Sequence, residues 1–172
     1  MTTEYILNEA MERVLDLLEP SNRLVIRVML HTGLRVTDVL ELKPEQLKRR
    51  FVVVEKKTGK HRTVTLPDRL LDDLREHSGA YWVFPGRLDL TKHRTRQAVW
   101  WDVKRAAWAC RVPANIGTHT ARKIFAVEMM KKYGDIDRVR RALNHSSPVV
   151  TALYACADKL LEAGLSKRGK GW

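Results

Sequence analysis

Thr32-Gly33-Leu34-Arg35-Val36-Thr37-Asp38-Val39-Leu40-Glu41-Leu42 is the stretch from which the fold of this chain can be read. Before it, Leu24, Val25, Val28 and Met29 recur at helical spacing, and Ser21 is placed to cap that helix. Gly33 interrupts the pattern and Arg35 stands just after the break. Val36, Val39 and Leu40 then predict a further short helix, ended by Lys43-Pro44. Towards the N-terminus, Ile6, Ala10, Val14, Leu17 and Leu18 predict a helix within residues 1–20, closed by Pro20. Towards the C-terminus the pattern changes. Phe51-Val52-Val53-Val54 and Thr63-Val64-Thr65-Leu66 read as two strands joined by a turn at Lys57-Thr58-Gly59-Lys60. A helix from about Asp68 to His77 follows, then a basic loop opened by Pro85-Gly86, then an amphipathic helix bearing Val99, Trp100, Val103, Ala107 and Cys110. From Thr118 onward the sequence is helical with breaks at Gly134 and Pro148, and 159–172 reads as a helix and basic tail. The expected fold class is mostly α with a small antiparallel β-sheet (α+β).

The 172 residues, 44% of them hydrophobic, suffice for one domain with its own core and fall short of two ordinary ones, so 1–172 is read as a single domain. Lys and Arg total 32 against 20 Asp and Glu, a formal charge of +12, which makes a polyanion the leading partner. Charge alone leaves ribosomal, chaperone-like and membrane-surface proteins in view. The sequence has neither an apolar run of the roughly 18 residues a membrane helix needs nor a basic-then-apolar leader, so a soluble, cytoplasmic protein is expected. Cys110 and Cys156 lack a second ligand at metal spacing and read as small apolar side chains. The tryptophans read as core and interface anchors.

The chemistry-bearing residues form an ordered series: Arg35, Lys57, His119, Arg122 three positions on, His145, and Tyr154 nine positions after that. Taken singly each is weak evidence. In this order, and with Thr32 to Leu42 and Leu143-Asn144-His145-Ser146-Ser147-Pro148 around them, they resemble the tyrosine recombinase or phage integrase family over roughly Leu24 to Ala157. The resemblance implies two clamp arginines, Arg35 and Arg122, a hairpin lysine, Lys57, two active-site histidines, His119 and His145, and a nucleophile, Tyr154. Asp38 matches the acidic position that supports the first arginine. Lys56 and Lys60 flank the same turn as Lys57 and compete for its role; Lys-Thr-Gly at the turn favours Lys57.

Chemistry gives these residue types a reason to gather. A phosphodiester under attack gains negative charge on its nonbridging oxygens, which a guanidinium meets with two fixed donors. A tyrosine of ordinary pKa about 10 needs a proton acceptor, and His119 suits that role. His145 would donate to a phosphate oxygen, and Lys57 would protonate the leaving 5′ oxygen. A 3′-phosphotyrosyl link keeps the energy of the diester, so neither ATP nor metal nor other cofactor is expected, and the sequence carries no Walker-type phosphate loop. Lys56, Lys60, Arg62, Arg94, Arg96 and Lys123 are expected to contact double-stranded DNA along its backbone, with little base information.

The chain departs from the family pattern at Asn144, where glycine is usual, and at Ala121, where leucine is usual. Both predict altered packing without loss of a catalytic atom. Only about twenty residues precede the match, so no N-terminal core-binding domain is expected within these residues, and the chain reads either as one domain of a longer protein or as a short recombinase that lacks that module. The resemblance also implies a homotetramer on DNA, with 159–172 exchanged between protomers or packed on its own domain, nucleoid association and a prokaryotic or phage origin. Two other functions remain in view, a DNA-binding regulator on a recombinase scaffold and a type IB topoisomerase.

Overall fold

The computed structural model describes residues 6 and 8–144, and over these the chain is helical around one two-stranded sheet. The central element is α2 (Pro20–Thr32), which packs against α1 (Asn8–Asp16), α3 (Val36–Leu40), α4 (Asp68–His77), α5 (Arg96–Ala109) and α6 (Thr118–Tyr133). Its inward face, Val25, Ile26, Val28 and Met29, is buried to 1% exposure or less, and even Ser21, Asn22 and Thr32 are covered.

Pro20 does not close the first helix; it opens the second. α1 stops at Asp16, and Pro20 occupies the first helical position, where proline has no N–H to leave unbonded and its fixed φ suits the helix. Glu19, not Ser21, is the cap, accepting from the Asn22 amide at 3.3 Å. The Ser21 hydroxyl meets His77 Nε2 at 2.8 Å instead, joining α2 to α4.

Strands β1 (Arg50–Val54) and β2 (His61–Thr65) pair antiparallel, Arg50 opposite Thr65 and Val54 opposite His61. Phe51, Val53 and Val64 face the core while Val52 and Val54 face solvent. The turn occupies residues 56–58, starting one position earlier and ending two earlier than the sequence suggested, with Gly59 in the left-handed region at φ 64°. The phase of β1 runs on through its end: Glu55 points inward and is completely buried.

In α5, Val99, Val103, Ala106 and Ala107 turn inward, which leaves Trp100, Trp101 and Trp108 at 37%, 66% and 84% exposure. Trp82 is half-buried beneath the Lys43 ammonium, 3.3 Å from its ring centre. None of these four tryptophans belongs to the buried core, so the core half of the expectation fails; in α5 the inward phase is already filled by smaller residues. Cys110 is half-buried and Ala121 fully buried; Cys156 and Pro148 lie outside the described residues. α6 ends at Gly134, φ 64°, as the sequence break indicates, and α7 (Ile136–Leu143) is capped by Asp135 at one end and by Asn144 at the other. Asn144 has φ 50° and ψ 36°. That left-handed conformation suits glycine, and asparagine tolerates it better than other side-chain-bearing residues, which accounts for the departure at this position. No helix among the described residues is long and apolar enough to cross a membrane.

Candidate active site

The corner between α2 and α3 positions the first arginine. Gly33 ends α2 at φ 64°, its N–H bonding the Met29 carbonyl at 2.8 Å, and the chain then extends through Arg35 into α3. Arg35 keeps 16% side-chain exposure, and its Nη1 donates to Glu55 Oε2 at 2.5 Å. Glu55 Oε2 also accepts from Thr58 Oγ1 at 3.2 Å, and Oε1 faces Arg62 Nη1 at 3.5 Å. Arg62, whose side chain is 9% exposed, further donates to the carbonyls of Thr32 and Gly33.

Arg122 arrives from the buried side of α6 and is 5% exposed. It donates to the Gly33 carbonyl and, at 2.5 Å, to the Leu143 carbonyl. Both acceptors end helices, α2 and α7, where carbonyls lack intrahelical partners and carry the negative end of the helix dipole. Burial, then the neighbouring Arg35 and Arg62 charges, lower the Arg122 pKa to about 10. It still carries its charge at neutral pH.

Two carboxylates divide the support. Burial alone would raise the Glu55 pKa, but the Arg35 hydrogen bond and charge, with help from Arg62, outweigh it and hold the carboxyl below its ordinary range. The nearby Asn144 amide adds to that lowering although its Nδ2 falls short of a geometric hydrogen bond. Asp38 interacts electrostatically with Arg35, while the ion-pair partner of the guanidinium is Glu55, and Asp38 Oδ1 accepts the Lys56 backbone N–H at 3.0 Å, fixing the hairpin turn. Among the described residues, Asp38 Oδ2 is buried and meets no geometric hydrogen-bond partner. Burial first, and then Glu55, push the Asp38 pKa up against the Lys56 and Arg35 contributions.

His119 lies in the first turn of α6 and is exposed. Partial desolvation of its ring, followed by the field of Arg122, Arg35, Arg96 and Lys123, lowers its pKa, so the imidazole is neutral at neutral pH. The same interactions place Arg35, Arg122, His119, Arg96 and Lys123 in one electrostatic neighbourhood. Lys57 and Lys60 are exposed on the turn, and Lys56 pairs with Glu41. Two expected DNA contacts are occupied internally: Arg62 as above, and Arg94, which binds Glu19 at 2.5 Å and Asn22 at 2.6 Å with 12% side-chain exposure. His145 and Tyr154 lie outside the described residues. A cleft of about 820 Å³ runs between α2, β2, α6 and α7 and meets this cluster at Arg62 and Asn144.

Glu55 was missed in the sequence. Its signal was present, because Phe51, Val53 and Glu55 share one face of a period-two pattern, and an acid at an inward position demands a buried cation.

The family model for the phage integrase family matches residues 4–160. The chain belongs to the phage integrase family. Among curated phage-integrase relatives, it is 31% identical over 136 residues to the probable integrase/recombinase YoeC of Bacillus subtilis strain 168, covering 76% of this chain and 74% of that protein. It spans about half the length of the next relatives it matches, 47% to 56%. The catalytic domain of bacteriophage HP1 integrase superposes with TM-score 0.70 at 22% identity, over 96% of this chain and 95% of that one. The XerH site-specific recombinase, in a post-cleavage complex with its difH substrate, gives TM-score 0.73 at 24% identity, over 87% of this chain and 48% of that one. These likenesses establish a tyrosine recombinase catalytic-domain fold.

Proposed function

We propose that the chain cuts and rejoins double-stranded DNA at specific sites through a 3′-phosphotyrosyl intermediate on Tyr154. The observation that carries this reading is the convergence of Arg35, Arg122 and a neutral, exposed His119 in one electrostatic neighbourhood, with Glu55 joining Arg35 to the turn that carries the exposed Lys57. In the step proposed, Tyr154 Oη forms a bond to phosphorus while the bond from phosphorus to the 5′ oxygen breaks. His119 takes the phenol proton, and Lys57 gives a proton to the departing oxygen. Arg35 and Arg122 meet the charge that develops on the nonbridging oxygens, and His145 donates to one of them. Attack by a 5′ hydroxyl reverses the sequence and restores the diester. Exposed Lys60, Arg96 and Lys56, with the half-buried Lys123, supply the phosphate contacts that seat the duplex, and four copies assemble on two duplexes. The DNA complex of XerH, on the same fold, supports the choice of duplex DNA.

A nicked duplex that loses its 5′ fragment after cleavage traps the intermediate. We expect a denaturant-resistant protein–DNA adduct, abolished by Tyr154→Phe. An adduct that survives in Tyr154→Phe, or none in the wild type, overturns the reading. DNA binding without an adduct would favour a regulator, and relaxation of supercoils without a defined site a type IB topoisomerase.

A further inference from the structure

Glu55 has no part in the chemical step just described, yet it is completely buried and stands at the centre of the cluster. Its carboxylate receives Arg35 at 2.5 Å and Thr58 Oγ1 at 3.2 Å, and Arg62 lies 3.5 Å from its other oxygen. Its own carbonyl closes the lysine turn by accepting the Thr58 and Gly59 amides at 3.2 and 2.8 Å. One residue therefore touches the first clamp arginine, its neighbour on β2, and the turn that carries Lys57.

A buried ion pair contributes little net stability compared with an apolar replacement, so the arrangement needs another explanation than folding. Attraction for phosphate does not supply it, because a carboxylate among guanidiniums weakens the positive field. Orientation does. An arginine side chain left to itself samples many rotamers, whereas one donor tied to a fixed carboxylate leaves the remaining N–H groups of its planar fork aimed in one direction. We propose that Glu55 is the positioning residue of the phosphate clamp, holding the Arg35 guanidinium, with Arg62 beside it, in place before DNA arrives. This rests on the cleavage reading above in that the clamp is taken to act on the scissile phosphate.

The test compares Glu55→Gln, Arg35→Ala and the double variant in single-turnover adduct formation on the nicked duplex, with duplex affinity measured alongside. Loss of a preorganised donor predicts a rate fall on the order of a hundredfold for Glu55→Gln, with affinity unchanged or tightened. In the Arg35→Ala background the same substitution should cost nothing further, since there is no guanidinium left to place. A wild-type rate in Glu55→Gln, or losses that multiply in the double variant, overturns the proposal; general destabilisation would multiply in this way. Glu55→Asp, which keeps the charge but withdraws it by about one carbon–carbon bond length, serves if Glu55→Gln does not fold, with the same non-multiplying loss expected. The Arg35 side-chain N–H resonance, read without DNA, separates this proposal from the cleavage reading. If the wild type forms no adduct, the cleavage reading fails; a resonance that shifts in Glu55→Gln still upholds the placement, and one that does not shift overturns it.

Discussion

Gly33 meets two demands that no other residue can meet together. Its φ of 64° is costly for any side chain with a Cβ, and a Cβ built there would come within 2.3 Å of the Phe125 ring. Its carbonyl is also an anchor for Arg122 and Arg62. Gly33→Ala is expected to destabilise the fold by about 2–4 kcal/mol, from left-handed strain plus overpacking. Chemical denaturation checks this; a midpoint equal to that of the wild type would contradict the geometry. A second residue-scale expectation concerns His119. Its pKa is held below the ordinary value of 6.5, so the proton-accepting form is present at neutral pH and is lost as pH falls through that lowered value. The rate of adduct formation should therefore hold level near neutrality and fall on the acid side at a midpoint below 6.5, and His119→Gln should abolish that limb of the profile. The sign is the same for stability: the unfolded chain binds the proton more readily, so acidification below the ordinary histidine value disfavours the fold.

At the scale of elements, α7 shows how a short helix can matter beyond its size. It has eight residues and buries only Val139 and Leu143, beside Ala126 of α6. Its start depends on Asp135, whose carboxylate accepts the amides of Asp137 at 2.9 Å and Arg138 at 3.0 Å. Its last carbonyl, at Leu143, fixes Arg122. Asp135→Ala should raise amide hydrogen exchange across residues 136–143 about fivefold, the size expected from loss of an N-cap. It should also slow adduct formation although Asp135 is exposed and takes no part in the chemistry. Unchanged exchange would show that packing, not the cap, holds this helix. The hairpin makes the related point for strands, since the same alternation that buries Phe51 and Val53 carries Glu55 into the site.

At the scale of the molecule, a formal charge of +12 on 172 residues predicts duplex affinity dominated by release of counterions. Between 50 and 200 mM salt, affinity for a duplex should fall on the order of a thousandfold, as for a protein making at least six phosphate contacts, and fluorescence anisotropy across that range measures it. Arg94→Ala should leave this slope unchanged, because Glu19 and Asn22 already engage its guanidinium. The sequence by itself determined the helices, the hairpin, the break at Gly33 and the ordered set Arg35, Lys57, His119 and Arg122, because periodicity and turn chemistry are local properties of the chain. The family relationship was legible for the same reason, since its most specific stretches are continuous in sequence. Only the tertiary structure decided that Glu55 rather than Asp38 pairs with the Arg35 guanidinium, that Arg62 and Arg94 are spent on internal partners, and that the tryptophans of α5 face outward. The ion pairs depend on which charge lies across a gap between elements, Arg35 and Glu55 being twenty positions apart and Glu19 and Arg94 seventy-five, and the tryptophans on which face of α5 the rest of the core covers. The alternation of β1 marks Glu55 as an inward acid, but which cation stands against it is set by distance in three dimensions, which no one-dimensional pattern records.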